Sequence, residues 1–318
     1  MRTRELRGAS LRGIGAHRPA ERRDNLAIAE RTGSSDTWIR ERSGIVTRGV
    51  AAPDESVVEM AASAGAKALA AAGVDATEVG LVLLATCSMP GPLPGGSPEV
   101  ASLLGATRAG ASDIGAGCAG FAYALGLAAD TVRTGTADHV LVIGSERLLD
   151  MVDHDDRGTA FLFGDGAGAA VVSASAVDTL GPVVWAHAGD QHAKLTIHGS
   201  PPRLAMEGRA IYRWATTSLP DLCRRACDEA GIGVEELAAF VPHQANLRIT
   251  ESVVHSLGLP DSVVIARDVV DSGNTSAASV PLALARLLER GELRSGDKAL
   301  LFGFGAGLTA AGLVVTCP

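Results

Sequence analysis

The chain has 318 residues, 47% of them hydrophobic, with 38 glycines, a mean hydropathy of +0.21 and a net charge of −8. This composition excludes a disordered or disulfide-stapled chain, and the negative charge excludes a general nucleic-acid binder. No apolar run approaches the ~18 residues needed to span a bilayer, and Met1–Arg7 lacks the apolar centre of a secretory signal, so a cytoplasmic protein without a membrane partner is expected.

The first predicted strand covers residues 9–16 and a short helix follows over 25–32. Residues 34–44 read as a polar segment with one large aromatic, Trp38. Residues 1–50 hold eleven arginines against six acids, which suits either a basic mouth for an anionic ligand or ordinary surface variation. Residues 56–72 form an alanine-rich helical run stopped by Gly73. Val79–Ala85 is a continuous apolar run of strand length, the pattern of a strand buried on both faces of a parallel sheet. A Pro/Gly-rich loop over 88–96 precedes a helix near 98–105.

Next comes Asp113-Ile-Gly-Ala-Gly-Cys118-Ala-Gly, a glycine-rich turn holding one cysteine before a helical pattern. At a helix N-terminus a thiol meets unpaired N–H groups and a positive dipole end, which lower its pKa from ~8.5. Cys118 is then a candidate nucleophile; a small buried hydrophobe is the other reading, and this stretch leaves both open. Residues 139–144 form another buried strand, 151–158 a polar loop, and 160–172 two strands around the turn Gly164-Asp-Gly-Ala-Gly168. The five cysteines are odd in number and lack framework spacing, so reduced thiols are expected. Cys223 and Cys227 read as one helix face rather than half a metal site, and no metal set is visible.

The second half repeats the first. Gly73–Val79 resembles Gly231–Leu237, an offset of 158 residues, and the same offset carries strand 81–85 onto 239–243 and Asp113 onto Asp271. The stretch Asp113–Ala119 then aligns with Asp271–Ala277, and strand 140–144 falls one residue further out, on 299–303. Four matches in one order argue for duplication. Two similar α/β halves, residues 1–175 and 176–318, are therefore predicted, with equivalent loops converging beyond the strand ends. That convergence brings together Cys118, His243 at a strand end in Val241-Pro-His243-Gln-Ala-Asn246-Leu-Arg248, and Asn274 in Asp271-Ser-Gly-Asn274-Thr-Ser.

With these motifs in place, the chain resembles the β-ketoacyl-acyl-carrier-protein synthase III family of the thiolase superfamily. The resemblance rests on the Cys118 turn, His243–Arg248, Gly273-Asn274-Thr-Ser, Asp156-Arg-Gly-Thr159, Gly164–Gly168, Ser35-Asp-Thr-Trp38 and Gly303-Phe-Gly-Ala-Gly307, in family order from about residue 34 to 307. It implies the thiolase-like duplicated fold, layered α-β-α-β-α. It implies that Cys118 takes an acyl group from acyl-coenzyme A, and that a malonyl group on acyl carrier protein loses carbon dioxide and attacks it. His243 and Asn274 would donate hydrogen bonds to the developing enolate, and the backbone N–H groups of Cys118 and Gly305 would form a second oxyanion hole. Trp38 and Arg157 match a pair bracketing adenine; Arg42, Arg248, Ser34, Asn246, Gly208 and Arg209 match positions along the phosphates and pantetheine channel. A homodimer without a cofactor is implied as well.

Three features depart from the family pattern. Leu93 stands where many relatives carry a phenylalanine reaching the partner's acyl pocket, Arg209 where an asparagine is common, and residues 189–204 are several residues short. All concern substrate choice and predict primers longer or more branched than acetyl. The rivals are a secondary-metabolite relative transferring its acyl group to oxygen or nitrogen, a cysteine hydrolase, and a non-catalytic partner subunit. The duplication and the 3% aromatic content weigh against the hydrolase, and Cys118 weighs against the non-catalytic subunit.

Overall fold

A computed structural model describes residues 7–318; Met1–Leu6, on which the reading of the N-terminal leader rests, lie outside the described residues. The first sheet contains β1 (Gly8–His17), β2 (Leu81–Ala85), β3 (Gly110–Ile114), β4 (His139–Arg147) and β5 (Asp165–Ser175) in the order β1-β5-β4-β2-β3. The second contains β6 (Val184–His187), β7 (Ala239–Pro242), β8 (Val264–Ile265), β9 (Lys298–Gly305) and β10 (Thr309–Thr316) in the order β6-β10-β9-β7-β8. The two orders are identical when each strand is advanced by five. In both, the second strand in chain order (β2, β7) is parallel to both its neighbours, while the fourth and fifth (β4 and β5, β9 and β10) pair antiparallel.

Side-chain alternation explains the layering. On β4, Val140 and Val142 face the middle of the molecule and Leu141 and Ile143 face outward; on β9, Ala299 and Leu301 face the middle and Leu300 and Phe302 outward. The middle layer is α5 (Gly120–Arg133) and α8 (Ser279–Glu289), whose Phe121, Leu125, Val280 and Leu284 share one core with both sheets. The other helices of seven or more residues, in chain order, are α1 (Leu26–Thr32), α2 (Asp36–Ser43), α3 (Val57–Ala72), α4 (Ser97–Leu104), α6 (Gly208–Glu229) and α7 (Leu247–Leu257). Helices α3 and α4 cover the outer face of the first sheet, α6 and α7 that of the second. This is the α-β-α-β-α arrangement.

Local signals account for several boundaries. Ser56 and Glu59 form a capping box at the start of α3, and Gly73 ends it at φ 63°, a left-handed position that glycine fills without strain. Two expectations are corrected. Residues 36–43 form helix α2, capped by Ser35 accepting the Trp38 N–H at 3.1 Å; only Ile39 and Ser43 are buried, so little apolar period marked it. Gly164–Gly168 is not a turn between two strands. One strand, β5, begins at Asp165, and its glycines serve close approach: a Cβ on Gly168 would lie 2.7 Å from the Pro281 Cβ. Residues 195–198 and 203–206 pair as a hairpin, which the sequence did not signal.

Candidate active site

The Cys118 turn follows β3. Residues 117–119 make one tight turn that leads straight into α5; no side chain caps that helix, and the Ala119 and Gly120 N–H groups bond the carbonyls of Ala116 and Gly117. The turn packs against its counterpart, residues 276–278, which leads into α8 in the same way. Backbone angles set the equivalence. Ala116 (φ −120°, ψ 26°) corresponds to Thr275 (φ −100°, ψ 27°), and Ala119 (φ −83°, ψ −10°) to Ala278 (φ −74°, ψ −15°). The step from an offset of 158 to 159 therefore falls before the turn, and Cys118 corresponds to Ala277 rather than Ser276.

Strand β9 passes directly under Cys118. A Cβ on Gly305 would come within 2.8 Å of the Cys118 Cβ and 3.1 Å of its sulfur, and one on Gly303 within 2.8 Å of the Ala119 Cα. Only glycine allows that approach. The thiol behaves opposite to the helix-end expectation. Burial pushes it up to about 12, a hydrogen bond with the Ser276 side chain opposes that shift, and the charge of Glu146 adds to it. Desolvation is the largest cause of that shift.

His243 follows β7, 2% exposed, with its backbone N–H donating to the Phe302 carbonyl at 2.6 Å. Its Nδ1 lies 2.7 Å from the Ser279 hydroxyl, which also accepts the Gln244 N–H at 3.3 Å. Burial pulls its pKa down to about 3, so the ring is neutral at neutral pH. Its edge meets Phe304 at 5.1 Å. Asn274, 7% exposed, is fixed through its backbone to Leu162 and Gly164, and its Oδ1 accepts the Ser276 N–H at 2.9 Å. That bond leaves the side-chain NH₂ as the group free to donate.

Asn274 lines one end of a cleft of about 820 Å³ whose walls include Trp38, Arg42, Gly208, Arg209, Asn246 and Arg248. Trp38 packs edge-on to Phe161 at 5.3 Å, and the guanidinium carbons of Arg157 and Arg42 stand 4.9 and 5.5 Å from its ring centre. Asp156 folds the turn that presents Arg157 by accepting from Thr159 at 2.5 Å and from the Gly158 N–H at 2.8 Å. Asn246 caps α7 and donates to the Arg42 carbonyl at 3.0 Å, tying the two helices that carry the arginines. Cys118, His243, Gly305 and Arg157 are not among the residues that line this cleft, and two further expected residues stand apart. Ser34 pairs with Thr32 at 2.8 Å behind α2, outside the cleft lining, and Leu93 is 86% exposed on its loop, away from this chain's own cleft.

Sequence reasoning missed Tyr212 and Arg213, which line the cleft with Arg209 from one face of α6; their spacing from Arg209, three and four residues, was the available signal. It also missed Glu146, Ser276 and Ser279, whose roles arise from contacts distant in sequence. At the end of the 189–204 segment the Leu204 N–H bonds the Met151 carbonyl, and Met206 just beyond it lines the cleft, so this stretch forms part of the wall.

Two family models match the sequence: 3-oxoacyl-[acyl-carrier-protein] synthase III over residues 112–189, and the C-terminal part of the same synthase over residues 227–317. A β-ketoacyl-[acyl-carrier-protein] synthase III of Streptomyces coelicolor is 47% identical, with 98% of this chain and 96% of that protein covered. A mycobacterial β-ketoacyl-[acyl-carrier-protein] synthase III from Mycobacterium avium is 44% identical over 97% of this chain and 95% of its own length. Among solved structures, the priming β-ketosynthase of the R1128 polyketide biosynthetic pathway superimposes with a TM-score of 0.98 at 42% identity, covering 100% of this chain and 98% of that one. The 3-oxoacyl-[acyl-carrier-protein] synthase III of Aquifex aeolicus gives 0.93 at 34% identity, covering 98% and 100%.

Proposed function

The chain belongs to the 3-oxoacyl-acyl-carrier-protein synthase III family and is an acyltransferase of its condensing type, and from that premise we propose that Cys118, His243 and Asn274 carry the reaction. The activity is condensation of an acyl-coenzyme A primer with malonyl-acyl carrier protein, with loss of carbon dioxide. Cys118 attacks the primer thioester and keeps the acyl group. Neutral His243, through Nε2–H, and the Asn274 NH₂ donate to the enolate oxygen formed as carbon dioxide leaves. The backbone N–H groups of Cys118 and Gly305 serve the thioester oxygen.

The observation that carries this reading is the preparation of both donors. Ser279 accepts from the Gln244 N–H and lies 2.7 Å from Nδ1, so the tautomer in which its hydroxyl donates to Nδ1 carries hydrogen on Nε2, and the Ser276 N–H occupies the oxygen of Asn274. Neither side chain carries charge, so both stabilise an anion without first losing a proton. The Trp38–Arg157 stack suits an adenine ring, and Arg42, Arg209 and Arg248 around the cleft suit phosphates; Ser34 would act only at its outer margin. No cofactor is called for, because both carbon units arrive as thioesters.

The exposed edge strand β3 and the 86% exposure of Leu93 support a homodimer in which the 88–96 loop reaches the partner's site. No described helix is long and apolar enough to cross a membrane, and all five cysteines are free, which supports a reducing, cytoplasmic setting. The likeness to a priming ketosynthase equally supports a role in starting polyketide chains.

The test incubates the protein with acyl-coenzyme A primers from acetyl to octanoyl, follows acyl adducts by intact mass, and then adds malonyl-acyl carrier protein. The expected result is an adduct lost in Cys118→Ala, followed by carbon dioxide release. Acyl transfer without carbon dioxide would point instead to an oxygen or nitrogen acceptor.

A further inference from the structure

We propose that Glu146 stores the Cys118 proton throughout the acyl-enzyme stage, with the Ser276 hydroxyl as the bridge; this rests on the acyl-cysteine reading above. Glu146 ends the central run of β4 with 0% exposure. Its carboxylate accepts from Ser88 at 2.5 Å, Thr86 at 3.2 Å, the Cys87 N–H at 3.1 Å and the Cys87 thiol at 3.3 Å. The Cys87 sulfur is in turn 3.7 Å from the Ser276 hydroxyl, and the turn that carries Ser276 packs against both the Cys118 turn and β4, the strand of Glu146.

The neighbours of the carboxylate are neutral. Among the described residues, the titratable groups set against it are the thiols of Cys87 and Cys118. Arg147, next in the chain, turns away to Asp150 and to the carbonyls of Ala52 and Glu55. A buried carboxylate without a cation favours protonation, and burial raises the proton affinity of Glu146 as it does that of Cys118. Each group also raises the cost of charge on the other, so the pair holds one proton between them. His243, held near 3, is a poor place to keep it.

Ser276 itself is shaped for the bridge. It is the one non-glycine among the described residues with a left-handed backbone, φ 46°, and the Asn274 Oδ1 pins its N–H there. Such strain persists where the surroundings impose it, and it marks functional positions more often than others.

The steps balance. As the Cys118 sulfur bonds the thioester carbon, its proton passes to the Ser276 oxygen and the Ser276 proton to Glu146. Coenzyme A leaves as a thiolate and takes a proton from solvent. In the second half carbon dioxide leaves the malonyl group, and its electron pair forms the new carbon–carbon bond. The expelled Cys118 thiolate then recovers its proton from Glu146 along the same path. The site loses one negative charge with the thiolate in the first half and regains it with the malonyl carboxylate in the second.

The test counts protons. The native enzyme is mixed in weak buffer near neutral pH with the best acylating primer of the acetyl-to-octanoyl series and a pH indicator, and the adduct is quantified by intact mass in the same sample. About one proton taken up per acyl-enzyme is expected, with no further uptake during condensation. Glu146→Gln and Ser276→Ala should form the adduct about 10²-fold more slowly, without that uptake, and consume the proton during condensation instead. An adduct without uptake in the native enzyme overturns the proposal, as does uptake that persists in either variant. Should Glu146→Gln not fold, the native count and Ser276→Ala decide it. No adduct at all would overturn the acyl-cysteine reading, and this inference with it.

Discussion

At His243 the imidazole is buried to 2% and held near 3, so it stays neutral through the whole physiological range. A neutral donor serves an enolate, while thioester attack asks little of it. His243→Ala and Asn274→Ala should therefore each lower malonyl decarboxylation by at least ~10²-fold, as for a lost oxyanion donor, and lower acyl-enzyme formation much less. Rapid-quench intact mass and carbon dioxide release measure the two halves separately; equal losses would contradict the division. Cys118, His243 and Asn274 could be singled out as candidates from sequence because each stands in a distinctive local context. Their electrostatics were not. The helix-end argument sees only the local backbone, whereas desolvation of Cys118 depends on β9 and on the 276–278 turn, both more than 150 residues away.

Among the elements, β9 is the one whose substitution should be felt most directly at the thiol. A methyl on Gly305 has backbone and sulfur of Cys118 in its way, with no flexible side-chain end to yield. Gly305→Ala should keep the fold at a cost of about 1–3 kcal/mol, yet displace the nucleophile turn and cut acyl-enzyme formation by an order of magnitude or more. Thermal unfolding together with adduct formation checks this; a variant acylated at the native rate would show that the turn tolerates the shift. The buried strands and α3 could be read from sequence because apolar runs and a capping box are local signals. Helix α2, the 195–206 hairpin and the continuity of β5 could not. The first has only two buried residues, the hairpin is largely exposed, and the glycines of β5 answer to Pro281 on a distant helix.

For the whole molecule, the 88–96 loop carries Leu93 out into solvent, 86% exposed. A residue so placed influences primer choice only through a second copy of the chain. The protein should therefore elute near twice its 32.4 kDa, and Leu93→Phe should move the optimum of kcat/KM toward shorter primers across the acetyl-to-octanoyl series. Each methylene in an apolar pocket discriminates by roughly 1–3 kcal/mol, so the change should be graded. A monomer, or an unchanged profile in the variant, would remove Leu93 from the pocket. The enclosed thiols have a consequence for the protein's survival in a cell. Cys223, Cys227 and Cys317 are buried, Cys87 and Cys118 are half-buried, and burial strengthens the hold of the Cys118 thiol on its proton. Peroxide and foreign disulfides react with thiolates they can reach, so the burial that delays the first chemical step also shelters the enzyme from oxidation between turnovers.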